Sequence, residues 1–383
     1  MSPMSKKEYL QSILLRYRSA AKKLKSRILN EFCQVCGYHR QHAIRLLNTC
    51  KRFTQPKPKK KGRESVYNKP SILEPLKKIW LSANLPCSSR LRAIIPLWLP
   101  FYPEPLSEAV KKALLSISQA TIDRVLRPVR IKYGKRGRST TKPGTLLKKH
   151  IPIKTKQWDE VRPGFIEADT VAHCGGSVAG EYAHTVDTVD IATGWNEQRA
   201  VFGKGEAGVL LQLRDIEASY PFPFLGFDSD NGGEFINYHA LKHFTQREKP
   251  VEFTRSREYE SNDNAHVEQK NWTNVRQYLG YDRLDDPRVV DWMNELYKSE
   301  WRLYMNFFLP SVKLLSKERI GSKTVKKHDV PKTPYQRTLE SKHVKPDVKE
   351  RLQNQFKTLN PFHLKKGMEK KLARIFNRPS KIF

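Results

Sequence analysis

The feature that most constrains this chain is the uneven distribution of its charge. The 383 residues carry 71 Lys and Arg against 39 Asp and Glu, a formal net charge of +32. Residues 1–150 hold a net +27 and residues 301–383 a net +15, whereas residues 151–300 hold a net −10. The basic flanks repel themselves without a polyanion, which favours nucleic acid as a partner. The acidic region between them repels that polyanion, which favours bound cations there.

Length and cysteine content narrow the class of protein further. A chain of 383 residues exceeds one ordinary hydrophobic core, so several domains are expected. Its five cysteines are an odd number, and neither a signal peptide nor an apolar run of membrane length is visible. We therefore expect reduced thiols in a cytoplasmic, nucleoid-associated bacterial protein without a membrane partner. Cys33 and Cys36 lie too close to His39 and His42 for the usual structural zinc site, which favours packing instead.

Residues 1–55 predict a helix-turn-helix module that binds DNA. Apolar residues recur at helical spacing, break at Cys36-Gly37-Tyr38 and resume in a second basic helix. In such a module the second helix reads the major groove, so Arg40 and Arg45 are candidate DNA contacts. An ordinary helical hairpin is the alternative.

Residues 56–131 predict a second helical DNA-binding module, which begins with a Pro- and Lys-rich stretch. Its last helix is expected to start at an N-cap, Ser118, and to stop before Pro128. Arg124 and Arg127 on this helix are candidate DNA contacts. Residues 132–154, rich in Lys, Gly, Ser and Thr, predict a basic linker.

The sequence pattern of residues 155–300 predicts an α/β domain with a mixed sheet. A helix is predicted near Gly205 to Ala218, between the third and the fourth of four short strands. The strands are Phe165 to Val171, Tyr182 to Ile191, Asn196 to Phe202 and Phe224 to Phe227. Residues 301–383 predict a basic C-terminal DNA-binding region, for which a β fold is one option.

Three carboxylates in the acidic region occupy positions that suit metal binding. Asp169 lies in the first predicted strand, Asp230 ends a later apolar run before a turn at Asn231-Gly232, and Glu268 enters a predicted helix. Phosphoryl transfer between DNA strands uses two divalent cations, and such hard cations prefer carboxylate oxygens. The sequence therefore favours metal-dependent chemistry at these residues.

Neighbouring residues offer alternatives to two of these assignments. Glu167 precedes Asp169, and Asp228 precedes Asp230, by two positions, and side chains two apart on a strand face the same way. Asp230 is preferred over Asp228 because it occupies the turn. His266 is a further candidate for a ligand or proton shuttle, although an ordinary place in the first turn of a helix near phosphate is favoured.

These segments resemble the catalytic core of retroviral integrases and of the related bacterial DDE transposases. Ser229-Asp-Asn-Gly232 resembles the motif of the second aspartate, and Val267-Glu-Gln-Lys-Asn271 that of the glutamate. The segment Thr185 to Trp195 resembles the second core strand, and Lys332-Thr-Pro-Tyr-Gln336 is similar to insertion-sequence transposases. The resemblance covers residues 155–300. It implies a ribonuclease H-like fold with Asp169, Asp230 and Glu268 as catalytic metal ligands.

The same resemblance implies cofactors and DNA contacts. Two Mg²⁺ or Mn²⁺ ions are expected in each active site. Asn264 matches a flexible-loop position that touches DNA in the family. Lys270, Asn271 and Arg276, on the helix that follows, are candidate DNA contacts, with merely solvated side chains as the alternative.

Together these features predict a multi-domain DNA transposase. Its helical modules would bind the ends of a mobile element, and its core would cleave the strands and integrate them into target DNA. Because two ends must be joined in concert, a homodimer or homotetramer on double-stranded DNA is expected. The alternatives are a ribonuclease H-like nuclease that acts by hydrolysis only and a transposase-derived DNA-binding regulator.

Overall fold

The computed structural model describes residues 2–49, 66–132, 160–229, 235, 238–255 and 265–376. The chain divides into two compact units, Met1–Val66 and Tyr67–Phe383. The second unit contains the second helical module, the predicted core and the C-terminal region together. None of the described helices is long and apolar enough to cross a membrane.

The first unit is a bundle of three helices around an apolar core. The helices are α1 (Pro3–Ser19), α2 (Lys22–Cys36) and α3 (Arg40–Thr49). Phe32 is fully buried at the centre, with leucines and isoleucines of all three helices around it. Gly37 ends α2 in the left-handed conformation at φ 65°, which glycine adopts at little cost. The predicted break between two helices therefore lies where the sequence places it.

The second unit begins with a helical region. Its helices are α4 (Pro70–Ser82), α5 (Ser88–Trp98), α6 (Glu108–Ser116) and α7 (Gln119–Lys132), with short 3₁₀ helices at Val66–Asn68 and Leu99–Phe101. Ser118 caps α7 as predicted, because its hydroxyl accepts from the backbone N–H of Thr121 at 3.2 Å. The predicted stop before Pro128 is wrong, since α7 continues to Lys132. A proline removes one backbone donor, and the helix continues around that loss.

A mixed sheet forms the centre of the second unit, as predicted, and it has five strands. Its strands are β1 (Phe165–Ala172), β2 (Ala183–Asp190), β3 (Asn196–Phe202), β4 (Gly226–Ser229) and β5 (Glu252–Arg255), in the order β3-β2-β1-β4-β5. The pairs β1–β2 and β2–β3 are antiparallel, and β1–β4 and β4–β5 are parallel. The fifth strand is absent from the sequence prediction. Helix α8 (Glu206–Ser219) connects β3 to β4, and α9 (Tyr238–Thr245) precedes β5.

One continuous helical stretch follows, and its middle part is π-helical. It consists of α10 (Ala265–Lys270), a π-helical segment at Asn271–Arg276 and α11 (Gln277–Leu279). Helices α12 (Arg288–Leu296) and α13 (Arg302–Phe308) flank a second π-helical segment at Tyr297–Trp301. Helix α10 packs against both β1 and β2, which places the sequence motif around Glu268 beside the central strands.

The C-terminal region combines a hairpin with three helices. The hairpin pairs β6 (Leu314–Ile320) with β7 (Lys323–His328), and the helices are α14 (Pro334–Glu340), α15 (Pro346–Thr358) and α16 (Pro361–Ile375). Of the β fold considered from sequence, only this hairpin is present among the described residues. Buried side chains of α14, α15 and α16 belong to the same apolar cluster as α4, α5 and the sheet. This region is therefore part of the second unit's core.

Candidate active site

Strand β1 presents two carboxylates on one face of the sheet. Glu167 and Asp169 are two residues apart on the strand, so their side chains point to the same face. Ile166 and Ala168, which alternate with them, are fully buried. Glu167 is fully buried, and Asp169 is partly exposed. In the parallel neighbour β4, Asp228 pairs with Glu167. The sheet thus gathers several carboxylates near the middle of its central strands.

Glu167 fixes the start of helix α10. Its Oε2 accepts hydrogen bonds from the backbone N–H groups of His266 and Val267, both at 3.0 Å. Burial, together with the negative charges of Asp228 and Glu268, raises the pKa of Glu167 to about 8, although the two N–H groups oppose this shift. The other oxygen, Oε1, is buried without a hydrogen-bond partner among the described residues. A carboxylate therefore holds the helix that carries the predicted third metal ligand.

Asp169 is bonded to the same helical stretch. Its Oδ2 accepts a hydrogen bond from Nδ2 of Asn271 at 2.6 Å, across 102 positions of sequence. Its Oδ1 accepts from the backbone N–H of Thr170 at 2.7 Å. Two motifs that the sequence singles out separately, the first aspartate and the Asn three places after Glu268, thus meet directly.

Glu268 stands in the first turn of α10, where its side chain remains exposed. Partial desolvation of the carboxylate raises its pKa. Asp228 is buried, and its Oδ1 accepts from the hydroxyl of Thr254 at 2.6 Å. Asp230 and Asn264 lie outside the described residues. His266, the other candidate ligand, contributes its backbone N–H to Glu167.

The described part of this site supplies carboxylate oxygens but not a complete metal-binding group. Within the described ranges no three His, Cys, Asp or Glu side chains form a complete group for a metal. The buried, unpartnered Oε1 of Glu167 is an acceptor, and the mutual repulsion of Glu167, Asp228 and Glu268 would be relieved by positive charge among them. Carboxylate oxygens of this kind are the ligands that Mg²⁺ prefers. The residues present are therefore compatible with a divalent ion.

A second acidic group borders Asp169 on the antiparallel side. Asp187 on β2 is the cross-strand partner of Asp169 and is fully buried. Its Oδ1 accepts from Nε2 of Gln198 at 2.8 Å. Burial raises the pKa of Asp187 to about 7, with Asp169 acting in the same direction and Lys270 against it. Asp187 is absent from the sequence-predicted site, although its place in the middle of a predicted strand is a signal that points to it.

The sequence-predicted DNA contacts occupy different environments. Lys270 is half-buried, and burial lowers its pKa to about 8. Arg276 donates from Nη2 to the carbonyl oxygen of Ala172 at 2.7 Å, and its guanidinium lies 4.7 Å from the ring centroid of Tyr281. The arginines that were predicted to contact DNA from the helical regions are exposed. Among them, only Arg40 has side-chain hydrogen bonds to described residues, which are Asn30 and Ser26. These exposed arginines are Arg40, Arg45, Arg124 and Arg127.

The chain is thus a basic helical N-terminal region followed by a mixed five-stranded sheet with gathered carboxylates. No family model matches it. The uncharacterized protein y4rM of Sinorhizobium fredii (strain NBRC 101917 / NGR234) is 37% identical over 344 residues, 88% of this chain and 96% of that protein. The chain belongs to the same family as y4rM. Among solved structures, the catalytic core domain of BIV integrase matches 47% of this chain and 96% of its own, at 17% identity and a TM-score of 0.28.

Proposed function

We propose that this protein is a DNA transposase that cleaves and joins DNA strands with divalent metal ions in a ribonuclease H-like core. The observation that carries the proposal is the hydrogen bond from Asn271 to Asp169 at 2.6 Å. It unites the first and third segments of the sequence pattern that resembles DDE transposases. The carboxylates that surround this bond supply the negative charge that a metal-dependent phosphoryl transfer needs.

In this proposal Asp169, Asp230 and Glu268 hold two Mg²⁺ or Mn²⁺ ions. When bound, such ions activate the attacking oxygen and stabilise the leaving oxygen of an in-line displacement. Asn271 keeps the carboxylate of Asp169 in one orientation. Glu167 anchors the first turn of α10 and so positions Glu268. Water first attacks the scissile phosphodiester, and the freed 3′-hydroxyl then attacks target DNA, so no Ser or Tyr nucleophile is needed.

The basic helical regions are proposed to bind the ends of the element. Arg45 on α3, and Arg124 and Arg127 on α7, are exposed and available to phosphates or base edges, while Arg40 is exposed but also donates to Asn30 and Ser26. The protein would act as a dimer or tetramer on double-stranded DNA, in the cytoplasm. Arg276 is proposed to support the helix through Ala172 rather than to contact DNA, because its guanidinium is already bonded to the backbone.

Charge removal at the three carboxylates tests the proposal. Asp169→Asn, Asp230→Asn and Glu268→Gln are nearly isosteric, so each is expected to reduce joining of a labelled terminal duplex to plasmid by about a thousandfold or more. DNA binding in a gel-shift assay should remain. Asp291→Asn, at an exposed position on α12, is the matched control and should join normally.

The outcome also separates the alternatives. A protein that cuts but never joins would be a nuclease acting by hydrolysis only, and one that binds terminal DNA without cutting would be a regulator. Loss of activity in Asp228→Asn with activity retained in Asp230→Asn would reassign the second ligand.

Metal exchange provides an independent test of the chemistry. Joining should require Mg²⁺ or Mn²⁺, while Ca²⁺ should support assembly on DNA with little reaction. Ca²⁺ prefers more ligands at longer distances and would misplace the attacking and leaving oxygens. Robust joining in the presence of a chelator, or a trapped covalent protein–DNA adduct, would contradict a metal mechanism.

A further inference from the structure

A cavity of about 460 Å³ lies behind the helix that carries Glu268, between that helix and the helical region of the same unit. Helices α5 and α7 supply Arg90 and Arg130 to its wall, and α10 supplies Lys270. No Asp or Glu of the described chain lines it. Three cations facing one half-open cavity without a lining carboxylate create a positive potential that favours an anion.

Two of these cations have unused hydrogen-bonding capacity. Arg130 donates from Nη1 to Asp123 at 2.5 Å, but its Nη2 is buried without a hydrogen-bond partner among the described residues. The side chain of Arg90 has neither an ion pair nor a hydrogen bond to any residue of the described ranges, although it is only partly exposed. Buried or partly buried donors of this kind are costly unless a ligand or water accepts from them.

The same wall contains the beginning of helix α5. Cys87 occupies the N-cap without a capping hydrogen bond from its side chain, and the first turn contains no acidic residue. The residues just before it, Asn84 and Leu85, adopt left-handed backbone conformations at φ 63° and 59°, which cost energy in residues other than glycine. An 11-residue helix thus presents its positive end beside Arg90.

We propose that this cavity binds a phosphate group of the DNA backbone. The inference rests on the proposed function in one respect, namely that DNA is the substrate. Arg90, Arg130 and Lys270 supply charged donors, and the volume is sufficient for a phosphodiester with its water. Lys270 lies two positions after Glu268 on the same helix, and side chains with this spacing do not face each other, so a phosphate held here would lie across that helix from Glu268.

Salt dependence of DNA binding tests the inference on the full-length protein. Each phosphate contact contributes about one unit to the slope of log affinity against log salt concentration. Arg90→Gln is expected to reduce that slope by about one, and Arg90→Lys, which retains the charge, to restore most of it. Arg92→Gln is the matched control, because Arg92 lies on the same helix, is exposed and does not line the cavity.

A second measurement distinguishes a backbone phosphate from a free anion. Inorganic phosphate is titrated while its ³¹P line width is followed, with wild-type protein and with Arg90→Gln. Weak binding that depends on Arg90 and is displaced by duplex DNA supports the inference. Binding of inorganic phosphate that DNA does not displace overturns it, as do equal slope losses in Arg90→Gln and Arg92→Gln.

These readouts do not depend on catalysis. The same salt series in the Asp169→Asn background should give the same slopes, since that variant is expected to bind DNA without joining it. If joining is absent in every variant but the slope still falls with Arg90→Gln, the proposed reaction fails while the phosphate site stands. Circular dichroism of each variant confirms that the fold is retained.

Discussion

The helical regions and the sheet region of this protein differ in whether they bury charged side chains. In the described helices between residues 2 and 132, no Asp, Glu, Lys, Arg, Asn or Gln is buried, and only some of the charged side chains, such as Arg90 and Arg130, are partly buried. The sheet, in contrast, encloses charged side chains at high desolvation cost. Those that are fully or almost fully buried are Glu167, Asp187, Asp190, Glu197, Arg199 and Asp228.

This difference separates two physical tasks. Exposed cations on apolar bundles can meet a polyanion at little cost to folding, whereas enclosed carboxylates destabilise a domain unless they are paired or used. Some are paired: Arg302 donates to both oxygens of Glu197, at 2.8 and 3.0 Å. Glu167 keeps one oxygen unpartnered among the described residues. The contrast supports the proposal that chemistry takes place at the sheet and that the helices bind DNA.

The largest expected effect on stability tests the apolar helices. Phe32→Ala should lower the local stability of the first unit by about 3–5 kcal/mol, because it leaves a cavity where the ring meets Tyr9 and Tyr38. Hydrogen exchange of the α2 backbone amides in the full chain measures the loss. Leu24→Ala, at an exposed position on the same helix, should change protection little. Equal protection in both variants would contradict an apolar origin of that stability.

The next effect tests the enclosed charges of the sheet. Glu197→Gln should cost about 3 kcal/mol, because Arg302 and the fully buried Arg199 lose a charged partner. Glu31→Gln breaks the exposed pair with Arg16 in the first unit and should cost less than about 1 kcal/mol. Urea denaturation of both variants, with hydrogen exchange as the readout, gives the loss in the free energy of unfolding for each. Similar costs would show that burial does not distinguish the two regions.

An effect that is smaller at each pH unit concerns the pH dependence of stability. The pKa of Asp187 in the folded protein, about 7, lies above its ordinary value of 3.8, so the folded state binds the extra proton between about pH 4 and pH 7. The free energy of unfolding should therefore fall as the pH rises through that window, by at most about 1.4 kcal/mol per pH unit for this group. The charges facing Asp187 are Asp169 and Lys270.

Asp187→Asn should make this fall shallower, measured by denaturation in chelator so that no metal contributes. A steeper dependence in the variant would contradict a carboxyl that is protonated in the fold. Asp291→Asn, which removes an exposed carboxylate, serves as the control.

The smallest effect concerns the turn in the first unit. Gly37→Ala should cost about 1 kcal/mol, because φ 65° strains a residue with a Cβ, while nothing lies within 4 Å of the added atom. Hydrogen exchange of α2 and α3 measures the change. A loss several times larger would indicate that the turn has packing contacts beyond its backbone conformation.

The sequence predicts two strands of the sheet almost to the residue. The strand predicted over Asn196 to Phe202 has the same bounds in the structure, and the one predicted from Phe165 to Val171 ends one residue later. Strand β5 (Glu252–Arg255) is missed by the sequence prediction because two of its four residues are charged, which leaves too little apolar pattern. The C-terminal helices escape because their few buried side chains are set by contacts with distant parts of the core.

Local sequence predicts which carboxylates are candidates but not what each one does. Glu167 and Asp169 are equivalent by spacing, yet one accepts from the backbone of His266 and the other from Asn271. That division depends on a helix about 100 residues further along the chain, which no local pattern encodes. Lys270 likewise is a residue type that is expected at the surface, although tertiary packing makes it half-buried.

The π-helical segment Asn271–Arg276 has a consequence for which insertions and deletions this protein can tolerate. A wide turn of this kind adds one residue to an α-helix. At its first position Asn271 donates to Asp169, and further along it Asn274 donates to the side-chain oxygen of Asn196 at 2.8 Å. Deleting one residue here would restore a regular helix and rotate everything downstream by about 100°. Relatives that retain the contacts of Asn271 and Asn274 should therefore have a segment of the same length, even where its other residues differ.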